Sequence, residues 1–176
     1  MNAQPQAPAH QRRALVVLFA VYVTLLVWIV LFKLHVPFIG RDDMRQVKLV
    51  PFAAADGFGP SSTHEVVVNL LLFIPLGVYL GVLARRWNLA AVALAIAATS
   101  LALEVAQYVL AVGSSDVTDL IVNTAGGLVG LAIARVVRGR GIARLSVLMT
   151  VFALVAVGAH IASFPPMPVP DALLLR

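Results

Sequence analysis

The sequence predicts an all-α fold: a polytopic membrane bundle of five transmembrane helices, N-terminus inside and C-terminus outside. Three observations predict it. Of 176 residues, 61% are hydrophobic and the mean hydropathy is +0.96, well above a soluble domain. The apolar residues gather into five runs, each about long enough for a hydrocarbon core roughly 30 Å thick. Lys and Arg lie in short clusters between those runs, where membrane loops carry them.

These clusters account for the net charge of +5 and the pI near 10.5. A basic face interleaved with stacking aromatics is missing, so the expected partner is the lipid bilayer and not nucleic acid. The chain has no cysteine, which excludes disulfides, thiolate chemistry and cysteine metal sites. His64 and Glu65 are adjacent and unsuited to sharing a metal, and neither metal nor cofactor is expected.

Residues 1–13 are polar and Pro/Ala-rich and read as a disordered tail. Residues 14–32 are uncharged and span roughly 28 Å as a helix. The run exceeds a signal-peptide core, and Lys33-Leu34-His35 stands where a small-residue cleavage site belongs, so it reads as a retained span. The long connection to residue 65 holds Arg41-Asp42-Asp43, the apolar patch Val47-Lys48-Leu49-Val50-Pro51-Phe52, and a Gly/Pro/Ser stretch at 56–62. Loops of that length are commonly functional or disordered. Ser62-x-x-Glu65 then reads as a capping box.

The second span, 66–84, carries Asn69, Pro75 and Gly77; Pro75 removes a helix hydrogen bond and predicts a kink. Arg85-Arg86 closes it. Spans 89–112 and 117–134 are joined by so tight a turn, Gly113-Ser114-Ser115, that they must be antiparallel neighbours. An arginine-rich link leads to span 145–164, which completes one transmembrane domain over 14–164. The Pro-rich tail at 165–176 reads as extended. With the N-terminus inside, the inner segments hold eight Lys and Arg residues and the outer segments five.

Five polar residues then fall in the outer half of the membrane. Glu104 lies roughly 12 Å deep and Gln107 roughly 7 Å. Asp119 and Asn69 lie one turn in, and Asn123 two turns in. An ionisable group at such depth is a functional candidate by default. Glu104 and Gln107 share a helix face, and Asp116, Asp119, Asn123, Gly126 and Gly130 form one stripe at steps of three and four. The expected arrangement packs spans two, three and four around an outward-facing pocket lined by Asn69, Glu104, Gln107, Asp119 and Asn123. Plainer roles compete. Asp116 and Asp119 suit a helix cap or first turn, Asn69 suits helix-to-helix bonding, and Pro75, Gly77, Gly126 and Gly130 suit packing.

Glu104-x-x-Gln107, followed by Asp119-x-x-x-Asn123-Thr124-x-Gly126-x-x-x-Gly130, resembles the signature of VanZ-like membrane proteins. Asn69-Leu-Leu-Leu-Phe73-Ile-Pro75-Leu-Gly77 and Leu49-Val50-Pro51-Phe52 resemble that family's upstream motifs. The resemblance implies a multi-pass protein of the bacterial cytoplasmic (inner) membrane and cell envelope. The family's named member gives resistance to the glycopeptide teicoplanin, and the resemblance brings no established catalytic residues. Gly113 stands where the family commonly has arginine, and Lys48 where it commonly has asparagine. Lys48, Arg41 and Arg45 are the outer cations left to balance Glu104 and Asp119.

Three functions follow. The first is an envelope protein binding a lipid headgroup, a lipid-linked wall precursor or a lipophilic antibiotic. The second is an enzyme acting on lipid at the outer leaflet, with Glu104 as general acid or base. It has no nucleophile elbow and no phosphate-cradling loop. The third is a structural protein whose polar residues only join helices.

Overall fold

Helix α1 (Ala9–Phe32) is followed by a short strand β1 (Val47–Lys48), then α2 (Thr63–Leu83) and α3 (Leu89–Leu110). A second short strand, β2 (Ser115–Asp116), leads directly into α4 (Val117–Val136), and α5 (Arg140–Ala162) completes the order. These elements come from a computed structural model that describes residues 9–32, 46–54, 59–137 and 140–162. Arg41, Arg45, most of the two predicted tails and the end of the fifth predicted span lie outside the described residues.

Among the described residues four helices are long and apolar enough to cross a membrane: Arg12–Phe32, Thr63–Leu83, Leu89–Leu110 and Val117–Val136. The chain is therefore a membrane protein. Within α5 the apolar stretch among the described residues is shorter, Arg144–Ala153. The helices begin and end where local chemistry directs. Ser62 Oγ accepts the Glu65 amide at 3.1 Å while Glu65 Oε2 accepts the Ser62 amide at 3.2 Å, closing the capping box of α2. Asn88 caps α3 by accepting the Ala91 amide at 2.8 Å. Helix α2 runs uninterrupted through Pro75.

Helices this apolar cannot be sorted by hydrophobicity, so small residues decide which faces meet. Helices α2 and α4 run parallel along a glycine seam. A Cβ on Gly126 would lie 2.2 Å from the Leu70 carbonyl oxygen, and one on Gly130 would lie 1.9 Å from that of Ile74. A Cβ on Gly77 would meet the Gly127 oxygen at 1.8 Å. Helix α3 packs antiparallel to α4, with Ile96 filling the space beside Gly127. Tyr22 of α1 donates to the Leu72 carbonyl of α2, and Tyr79 of α2 donates to the Ser146 carbonyl of α5 at 3.1 Å. The seam and these tyrosines bring the C-termini of α1 and α3 to the same end of the bundle as the N-termini of α2 and α4.

Candidate functional site

That end is closed by a polar network built from the turn after α3. Ala111 adopts a left-handed conformation (φ 51°) and reverses the chain, and its amide bonds back to the last turn of α3. The chain then extends as β2, which pairs in parallel with β1 in the register Val47↔Ser115 and Lys48↔Asp116. The Ser115 amide donates to the Gln46 carbonyl at 2.9 Å.

Glu104 anchors this return. It is 5% exposed, and its Oε2 accepts the Asp116 amide at 2.9 Å. Its backbone carbonyl accepts Ser115 Oγ at 2.7 Å. Asp116 divides its two oxygens between two tasks. Oδ1 caps α4 by accepting the Thr118 amide at 2.7 Å. Oδ2 accepts Ser61 Oγ at 3.2 Å and faces Lys48 Nζ at 3.4 Å.

Lys48 is the cation that meets this carboxylate. It is 5% exposed, and its ammonium also donates to Ser61 Oγ at 2.8 Å and to the Gly59 carbonyl at 3.3 Å. Two of its three donor positions are thus used in hydrogen bonds, and Asp116 adds the ion pair. Thr118 Oγ1 accepts the Phe52 amide at 3.0 Å and lies 3.2 Å from Ser61 Oγ. One network thus joins the long connection, the lead into α2, the end of α3 and the start of α4.

A cleft of about 220 Å³ lies beside the network, lined by Lys48, Ser61, Glu65, Ser114, Asp116 and Asp119 with Gly59 and Pro60. Asp119 is thus placed in the cleft, while Glu104 is one bond behind it, through the Asp116 amide. Gln107 and Asn123 lie elsewhere. Gln107 is 1% exposed and donates from Nε2 to the Val30 carbonyl of α1 at 2.9 Å. Asn123 donates from Nδ2 to Ser100 Oγ of α3 at 3.0 Å. The oxygens Gln107 Oε1 and Asn123 Oδ1 have no hydrogen-bond partner among the described residues. Asn69 is half-buried on α2, and among the described residues no hydrogen bond joins it to the other four. Pro75, Gly77, Gly126 and Gly130 are all buried along α2 and α4.

Of the five candidate residues, Asp119 lines this cleft. Ser61 and Thr118 were not legible as site residues. Ser61 is masked in sequence by the capping Ser62, and Thr118 by an ordinary first turn. A second hollow, about 500 Å³, lies at the opposite end of the bundle beside Arg86, Trp87 and Asn88, and holds none of the candidates. Among the described residues no group of three or more His, Asp and Glu side chains is placed to hold a metal ion.

Comparison with known proteins covers this region. A sequence model of the VanZ/LLP1 family matches residues 19–138, which include every residue of the network and cleft. Protein VanZ of Enterococcus faecium is 34% identical over 116 residues, covering 65% of this chain and 69% of that protein. No solved structure matches the chain.

Proposed function

The chain belongs to the VanZ/LLP1 family, and from that premise we propose that it binds the hydroxyl- and amino-bearing polar head of a membrane amphiphile in the cleft beside Asp119. The protein works in the bacterial inner membrane with this cleft facing outward. The bias of eight inner to five outer Lys and Arg residues supports that orientation. The carrying observation is a polar hollow at the mouth of an otherwise apolar bundle, with three carboxylates and two serines in its lining. Its cation, Lys48, is already surrounded by three acceptors, so it holds the fold and leaves recognition to the acceptors and hydroxyls. At about 220 Å³ the cleft suits a headgroup, such as a sugar of a wall precursor or of a glycopeptide, and not a whole antibiotic.

The test uses purified protein in lipid nanodiscs with teicoplanin as probe. Asp119→Asn is expected to weaken binding about tenfold, the worth of one charge-assisted hydrogen bond. Equal affinity of the variant and its parent overturns the reading. For Gln107 and Asn123 a structural reading is favoured, since their bonds to Val30 and Ser100 tie α3 to α1 and α4.

A further inference from the structure

The segment at 47–52 is inside-out. A strand at the rim of a soluble domain turns its lysine to water and its valine and leucine inward. Here Lys48 is 5% exposed, while Val47 is 48%, Leu49 71%, Val50 45% and Phe52 49% exposed. The reversal is held in place from several sides. Lys48 is fixed by Ser61, Gly59 and Asp116. The Phe52 backbone lies in the left-handed region (φ 61°), where a bulky residue is strained, and its amide is held by Thr118 Oγ1. The fold therefore presents four apolar side chains outward instead of tucking them in.

We propose that this face of the 47–52 segment lies in the lipid interface of the bilayer, as a short wedge beside the cleft. The occupant is lipid because α2 and α4, whose starts hold this segment through Ser61 and Thr118, also expose apolar side chains. Val67 and Leu71 in the first turns of α2 are 47% and 55% exposed, and Ile121 near the start of α4 is 44% exposed. On helices that cross a membrane, those side chains meet hydrocarbon. The depth is also bounded. A two-residue ladder with open edges cannot sit within the hydrocarbon core, where its backbone groups find no partner. The headgroup boundary gives apolar side chains lipid and gives the ladder edges water. A molecule entering the cleft over this wedge comes from the membrane side.

The chain has no cysteine, so Leu49→Cys and Val50→Cys each give a single labelling position. Each full-length variant, labelled with an environment-sensitive dye, is reconstituted in phosphatidylcholine–phosphatidylglycerol vesicles. The expected result is blue-shifted emission, quenching by a lipid carrying a nitroxide near its headgroup, and protection from aqueous iodide relative to the free dye–cysteine adduct. Iodide quenching equal to that of the free adduct, with no effect of the nitroxide lipid, overturns the proposal. Protection from both quenchers also overturns it, since a protein surface then covers the segment. Because no cleft ligand is present, the outcome is independent of the teicoplanin measurement.

Discussion

Helix α4 is held in two different ways along its length. Its first two turns are tied by side chains: Asp116 caps it, Thr118 bonds the long connection, and Asn123 reaches Ser100. Its second half is tied by the absence of side chains, where Gly126 and Gly130 let the backbone of α2 approach directly. A side-chain contact can shift by an ångström and keep its bond. A backbone contact at the seam has nothing to move. The seam therefore fixes the spans, and the polar end keeps more room to adjust.

The largest expected effect attacks the seam. Gly130→Ala places a methyl 1.9 Å from the Ile74 carbonyl oxygen and 3.0 Å from the Val78 amide nitrogen, both backbone atoms. The helices must separate, at a loss of about 3 kcal/mol or more. The check is denaturant unfolding in detergent together with the yield of monodisperse protein. A variant that unfolds like its parent breaks the comparison, because the seam then tolerates side chains as the polar end does.

Lys48→Met is expected to have the next effect, about 2 kcal/mol, since it leaves the Asp116 carboxylate without its cation. The loss is smaller than at the seam because the Asp116 side chain is 15% exposed and water relieves part of it. Adding Asp116→Asn to Lys48→Met is expected to recover part of the stability, because the stranded charge is gone. A double variant as unstable as the sum of the two singles shows that the pair does not act as a unit.

Four of the five expected spans were legible in the sequence, and the mouth of the bundle only unevenly. Runs of apolar residues and the Ser62–Glu65 box are local signals, and the capping bonds of that box are present. The glycine stripe was legible because spacing of three and four fixes a helix face, and the structure sets Gly126 and Gly130 against α2. The parallel pairing of β1 with β2 was not legible. It joins residues 68 apart in register, and two-residue strands leave no periodic signal. In the sequence Val47-Lys48-Leu49 reads only as part of a short apolar patch, with nothing to mark a strand or an inward-facing lysine. The separate partners of Glu104 and Gln107 were not legible for a related reason. Helical spacing places Glu104 and Gln107 on one face, but that face is wide enough for Glu104 to serve the β2 turn while Gln107 reaches α1.

The smallest expected effect sharpens the contrast by reversing the substitution. Ala111 ends α3 in the left-handed region with its side chain fully buried. Glycine there relieves about 1 kcal/mol of backbone strain. It also removes a buried methyl worth about 0.8 kcal/mol. The two oppose each other, so Ala111→Gly is expected to change the unfolding free energy by less than about 0.5 kcal/mol. A loss well beyond that means the methyl packs the turn as tightly as the glycines pack the seam, and the polar end is then as rigid as the half of α4 it was set against. A near-zero result places the demand for glycine in this protein on backbone approach between α2 and α4, with the turn after α3 indifferent to it.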